Sequence, residues 1–261
     1  MKLGINTVVL GESTLEEALQ HVAWAGYEYV ELAAILGMRE HVEIDSDAAQ
    51  IRYLLQKYEL TATAMEAATN DKERLEALMK KASEIGIGIV NIGSGGKTED
   101  AETTVAAIEL MREFSKMAAD NNVTLAVKPH VGQAIYNCET GVRLLNEVTE
   151  GNIGLNFDPS HLARADDDPA EVAKVWKGKI ATSHFRDCPV RVPGPPGSPE
   201  QQVPGRGALD LPGIFRSLKE TDYSGPVNLE IIGAKDYLLS RAMGLAAESR
   251  GYLHRCLQEI K

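Results

Sequence analysis

The sequence predicts an α/β chain closed into a single (β/α)8 barrel, and three observations lead there. Eight short apolar runs alternate with eight helix-like segments from one end to the other. Alternation of that kind needs a parallel sheet, and eight units close most naturally on themselves. The length of 261 residues suits one barrel of roughly 250. An open doubly wound sheet usually carries a glycine-rich phosphate turn after its first strand, and Val8-Val9-Leu10-Gly11-Glu12 is not one. The expectation is one domain spanning residues 1–261.

Leu3 to Val9 is the first strand by its apolar content. Ser13 and Glu16 form a capping-box pattern ahead of Leu15, Leu19, Val22 and Ala23, which share one helical face, and Gly26 ends that helix. Tyr29 to Leu36 is strand two, carrying Glu31, and Asp45 to Tyr58 is a helix with Ile51, Leu54 and Leu55 inward. Thr61 to Ala68 is strand three, carrying Glu66, and Asp71 to Ile85 is a helix closed by Gly86. Ile87 to Ile92 is strand four, ending in Gly93-Ser94-Gly95-Gly96, which reads as a plain turn or a close backbone approach to a ligand. A long helix over Asp100 to Asn121 leads to strand five, Thr124 to His130. Glu139 to Val148 is a helix and Asn152 to Phe157 is strand six. Pro169, at a favoured first-turn position, opens a helix to Trp176, and Ile180 to Phe185 is strand seven. Leu211 to Thr221 is a helix, Pro226 to Ile232 is strand eight, and a last helix runs from about Lys235 to Ile260. The interval from Cys188 to Gly207 holds six prolines, a composition in which no helix or core strand is expected. It would lie on the face that carries active sites in barrels, as a lid, a subunit-contact loop or a plain excursion.

Composition narrows the function. The apolar fraction of 44% and charged fraction of 25% are those of an ordinary soluble globular chain. No run of about 18 apolar residues exists, so no membrane partner is expected. The first residues enter an apolar strand without a signal-peptide layout, and Cys138, Cys188 and Cys256 are too few and too scattered for a disulfide framework, so a cytoplasmic protein is expected. A formal charge of −11 repels phosphate backbones and argues against nucleic acid.

The chemistry gathers at strand ends. The run Gly154 to Phe157 is built for burial, yet it ends in Asp158, Pro159 and His161. Strand five ends in Lys128, Pro129 and His130, strand seven in His184, Arg186 and Asp187, and strand eight carries Glu230. In a (β/α)8 barrel these ends form one rim, where active sites lie. Asp, His and Glu around an open position suit a divalent ion such as Mn²⁺, Mg²⁺, Co²⁺ or Zn²⁺. Asp158 is a candidate ligand, and His161 stands beside it to meet a substrate. A cap for the next helix and a backbone-satisfied histidine is the alternative for that pair. Arg191 and Arg206 could bind an anionic substrate group, surface solvation being the equal alternative for Arg191. Glu31 reads as structural, Glu66 as either structural or mouth-lining, and Trp24 and Trp176 as packing residues.

Asp158-Pro159-Ser160-His161, Ser183-His184-Phe185-Arg186-Asp187, Gly205-Arg206-Gly207 with Leu209-Asp210, and Asn228-Leu229-Glu230 together resemble the sugar phosphate isomerase/epimerase superfamily of xylose-isomerase-like TIM barrels. That group includes ketose 3-epimerases, hydroxypyruvate isomerases and inosose dehydratases. The resemblance implies that Asp158, His184 and Glu230 are metal ligands, that His161 bonds a substrate hydroxyl, that Arg186 lies near the substrate, and that the chain is a homo-oligomer. One departure stands out. Where the epimerases of this group place a metal-binding Glu on strand five, this chain has Lys128, whose ammonium has no lone pair. His130, two residues on and of the same strand parity, could supply the fourth ligand. Lys128 could instead be an acid, a base or an oxyanion stabiliser, or its ammonium could take the metal's place.

The function expected is a metal-dependent isomerase or epimerase acting on a small carbohydrate by proton transfer beside a carbonyl. Glu230, Lys128 and His130 are the candidate catalytic groups, and His161, Arg186 and Arg206 the candidate substrate contacts. A metal-dependent dehydratase, decarboxylase or C–C lyase on a sugar-derived acid is the second expectation. A non-catalytic sugar-binding or assembly subunit is the third.

Overall fold

The structure, a computed structural model, describes residues 1–190 and 194–260. Eight parallel strands form the barrel: β1 (Lys2–Asn6), β2 (Tyr29–Ile35), β3 (Thr61–Glu66), β4 (Ile89–Gly93), β5 (Thr124–Lys128), β6 (Ile153–Phe157), β7 (Ile180–Phe185) and β8 (Pro226–Leu229). Each pairs with its neighbours in sequence, and β1 pairs with both β2 and β8, which closes the ring. A two-residue strand, Arg39–Glu40, adds antiparallel to the end of β2.

Helices cover the outside: α1 (Leu15–Trp24), α2 (Ala48–Lys57), α3 (Lys72–Ile85), α4 (Ala101–Asp120), α5 (Cys138–Glu147), α6 (Pro159–Arg164), α7 (Pro169–Val175), α8 (Leu211–Glu220) and α9 (Leu239–Glu259). Asp47, Asp71, Asp100, Asn137, Asp158, Asp168 and Asp210 each accept a backbone N–H at the start of the helix that follows. That satisfies donors a helix start otherwise leaves bare. Gly86 ends α3 at φ 95°, in the left-handed region where a Cβ is penalised.

Period-2 alternation sorts each strand into an inner and an outer face. On β7, His184 points into the barrel and reaches Glu31 of β2, while Phe185 points out and meets Phe215 of α8 at 5.0 Å between ring centroids. On β6, Phe157 packs outward on Trp176, and Asp158 follows on the inward side. The outer faces and helices make the apolar core, and the interior is polar towards the C-terminal ends of the strands.

Several boundaries differ from those expected. β1 stops at Asn6, because the Asn6 side chain accepts from Val8 N at 2.9 Å and opens a 3-10 turn, Thr7–Leu10. The capping box of α1 is Thr14 with Glu17, one residue beyond the Ser13–Glu16 pattern, and Ser13 Oγ donates back to Leu10 O. Trp24 is 69% exposed and meets His21 edge-on at the surface, whereas Trp176 is fully buried. The proline-rich interval does hold one helical turn, Pro199–Gln202, since proline is tolerated at a first helical position. Gln202 anchors that turn through both amide atoms to the backbone of Ile232, and Asp187 N donates to Gln202 O. Arg191 lies outside the described residues.

Candidate active site

A cavity of about 230 Å³ opens at the C-terminal ends of the strands, with Glu66, Lys128, His130, His161, Arg186 and Glu230 on its wall. It falls below the roughly 300–1,000 Å³ usual for drug-sized ligands and suits a small polar molecule. A larger cavity of about 550 Å³ lies at the opposite end, near Met1 and His254, and holds none of the strand-end groups.

Local sequence puts the groups there. β6 ends at Phe157 because Pro159 has no N–H for a ladder, and the chain turns into α6. Asp158 caps the helix that follows it, as the second reading of its motif has it, and also pairs with Arg186. Its Oδ1 caps α6 by accepting from Ser160 N at 2.9 Å and His161 N at 3.2 Å, while Oδ2 accepts from Arg186 Nη2 at 3.2 Å. Burial alone would raise the Asp158 carboxyl, but Arg186, then His161 and Lys128, hold it well below the usual carboxylate range.

Asp158, His184 and Glu230 each offer a ligand atom, and these atoms lie within 4.8 Å of one another. His184 Nε2 is hydrogen-bonded to Glu31 Oε2, and its other nitrogen, Nδ1, is buried without a hydrogen bond, 3.1 Å from Glu230 Oε1. A carboxylate holding one imidazole nitrogen while the other faces two more carboxylates is the usual support of a metal-ligating histidine. These three residues therefore fit a divalent ion. With the ring free of metal, burial would lower its pKa, but Glu31, Glu230 and Glu66 outweigh burial and Lys128 and raise it to about 10.

Lys128 stands between Glu66 and Glu230. Its Nζ donates to Glu230 Oε1 at 2.8 Å and to Glu66 Oε1 at 3.1 Å. Burial disfavours the ammonium, but the two carboxylates outweigh it and raise its pKa. Glu230 Oε2 takes the Arg186 Nη1 hydrogen bond, so both oxygens of Glu230 face fixed cations. Burial pushes the Glu66 carboxyl up to about 7 against the pull of Lys128. Asn6 Nδ2 donates to both Glu66 Oε2, at 2.6 Å, and Glu31 Oε2, at 3.0 Å. Glu31, His184, Glu230, Lys128, Glu66 and Asn6 thus form a closed ring of polar contacts.

The structure does not bring His130 among the metal donors. β5 ends at Lys128, and Pro129 cannot continue the ladder, so inward parity does not carry to residue 130. His130 Nδ1 lies 2.8 Å from Val131 O, and its ring lies tilted against that of His161, with centroids 4.0 Å apart. A carbonyl only accepts, so Nδ1 carries the proton and Nε2 keeps a lone pair. Burial, reinforced by Lys128, lowers the His130 pKa to about 4 and keeps the ring neutral. Arg206 is also elsewhere: its side chain is 44% exposed and pairs with Glu248 of α9. Glu31, expected to be structural, is fully buried inside the barrel against His184. Arg164 was not singled out by sequence, and it is 3% exposed, with Nη2 3.0 Å from His161 Nδ1. Its i+3 spacing from His161 on a short helix was the available signal.

The profile of the xylose isomerase-like TIM barrel family matches residues 19–256. The chain belongs to that family. This xylose isomerase-like barrel is 24% identical over 257 residues to an inosose isomerase of Halalkalibacterium halodurans, which covers 92% of this chain and 91% of the relative. It is 24% identical over 237 residues to an L-ribulose 3-epimerase of Methylomonas sp., covering 82% of this chain and 77% of that enzyme. Its fold matches a solved IolI protein with a bound zinc atom at a TM-score of 0.81, with 20% identity over 100% of this chain and 99% of the other. The family is one of enzymes, and this xylose isomerase-like barrel brings ligand atoms of Asp158, His184 and Glu230 close enough to hold one divalent ion.

Proposed function

We propose that this barrel is a metal-dependent isomerase or epimerase acting on a sugar, keto-sugar or sugar derivative by proton transfer next to a carbonyl. One observation carries the reading: Asp158, His184 and Glu230 converge within ligand distance beside a small cavity walled by further acid–base groups. The isomerase and epimerase names of the relatives support it. Asp158, His184 and Glu230 would hold the divalent ion, which when bound supplies Lewis acidity to carbonyl and hydroxyl oxygens.

The chain's own groups do the rest. Glu230 is a base on the β8 side of the cavity. Lys128, its ammonium fixed between two carboxylates, is positioned to stabilise developing negative charge on a substrate oxygen. His130, neutral with a free lone pair, is a second base reachable without a strand-five carboxylate. Arg186 and His161 lie 2.8 Å apart on the cavity wall and orient substrate hydroxyls.

The test is incubation with D-allulose, L-ribulose and an inosose in deuterated water, with Mn²⁺, Co²⁺ or Zn²⁺ supplied. An isomer or epimer labelled at the carbon beside the carbonyl is expected. A product lighter by one water would favour the dehydratase reading. Ligand binding with neither label nor product would make the barrel a binding subunit and sink the proposal.

A further inference from the structure

The metal-site reading leaves Lys128 in a contested place. Glu230 Oε1 is the atom that His184 Nδ1 faces at 3.1 Å, and the Lys128 ammonium already bonds that same oxygen at 2.8 Å. The other Glu230 oxygen is taken by Arg186. A divalent ion sits about 2.0–2.2 Å from a carboxylate oxygen, so an ion on Glu230 Oε1 would share one atom with an ammonium. Two cations on one oxygen repel, and a double charge doubles that repulsion. The ammonium has somewhere to go. Glu66 Oε1 lies 3.1 Å from Lys128 Nζ, and Glu66 lies outside the group of Asp158, His184 and Glu230, its own close group being with Glu31 and His184. Asn6 fixes the Glu66 carboxylate from the far side at 2.6 Å.

We propose that Lys128 is the residue that sets metal affinity: its ammonium and the divalent ion compete for Glu230, and Glu66 is the carboxylate that receives the ammonium when the ion binds. This rests on the metal-site reading above. Lys128 thereby has two positions, one bridging Glu66 and Glu230 and one on Glu66 alone, and the ion selects the second. Leaving Glu230 gives up one of the two ion pairs and keeps the one to Glu66, so no stranded cation results.

Calorimetric titration of Mn²⁺ and Zn²⁺ into chelator-treated full-length protein tests this at a fixed pH. The proteins are wild type, Lys128→Met, Glu66→Gln and the double variant, each checked for folding by thermal melting. Removing the competing ammonium is expected to tighten binding by about tenfold or more, equal to about 1.4 kcal/mol per decade. Glu66→Gln, which removes the receiving carboxylate but keeps Lys128, is expected to weaken binding about fivefold. In the Lys128→Met background the same Glu66→Gln change is expected to alter affinity by less than about threefold, the difference being the coupling between the two residues. Equal or weaker binding by a folded Lys128→Met variant would overturn the inference and leave the metal site standing. If Lys128→Met does not fold, unchanged affinity in Glu66→Gln overturns it instead. Absence of binding by wild type and Lys128→Met alike would remove the metal site itself, and the inference with it.

Discussion

Single residues carry effects that their neighbours in sequence do not announce. His41 is buried beside Arg39, and burial, then Arg39, push its imidazole down to about 4 from the usual 6.5. The unfolded chain therefore binds a proton at higher pH than the folded one. The neutral ring's contribution is whole above pH 6.5 and is lost as pH falls from there through about 4, at up to about 1.4 kcal/mol per pH unit. Replacing His41 by Asn should flatten the acid limb of the melting temperature in that window. An unchanged limb would assign the acid sensitivity to other groups. Arg206 gives the opposite case. Its pairing with Glu248 is exposed on both sides, so Arg206→Ala should change urea stability by no more than about 1 kcal/mol and leave metal affinity untouched. Sequence marked Arg206 by the glycines on either side. Only the structure shows that it turns to α9.

At the scale of elements, the register of caps and strand ends decides which residues face the site. The helix α1 begins with a reciprocal cap, Glu17 N to Thr14 Oγ1 at 3.2 Å and Thr14 N to Glu17 Oε2 at 2.8 Å. Thr14→Ala should lower denaturant stability by about 1 kcal/mol, and Ser13→Ala should not act on the cap at all. Ser13 and Glu16 satisfied the same spacing in sequence, and the choice fell one residue later because Ser13 bonds back to the turn after β1. The end of β5 falls at Lys128 rather than His130 for a similar local reason. Alternation assigned His130 to the inner face, but alternation holds only while the ladder continues, and it stops at Lys128 before Pro129.

For the molecule as a whole, closure creates a charge balance that no single strand shows. Glu31, Glu66, Asp158 and Glu230 face Lys128 and Arg186 inside one buried network. Asp158→Asn keeps an oxygen for the α6 cap but leaves Arg186 short of one carboxylate. In metal-free protein it should lower stability by about 3–5 kcal/mol, measured by urea unfolding. A loss under about 1 kcal/mol would mean that Glu230 alone holds the guanidinium.

Legible in the chain before folding were the alternation of strands and helices, the closed barrel, and the gathering of Lys128, Asp158, His184 and Glu230 at one rim. Those features follow from local periodicity, breaker residues and side-chain parity, each spanning a few residues. The pairings at the rim were decided by the tertiary structure. Lys128 meets Glu66 across 62 residues and Glu230 across 102. Glu31 reaches His184 across 153. Such contacts exist only because the β1–β8 pairing closes the sheet and aims inward side chains from opposite strands at one another. Burial then makes each unpaired charge costly enough that carboxylates and cations must choose partners, and that choice is set by distance in the folded barrel.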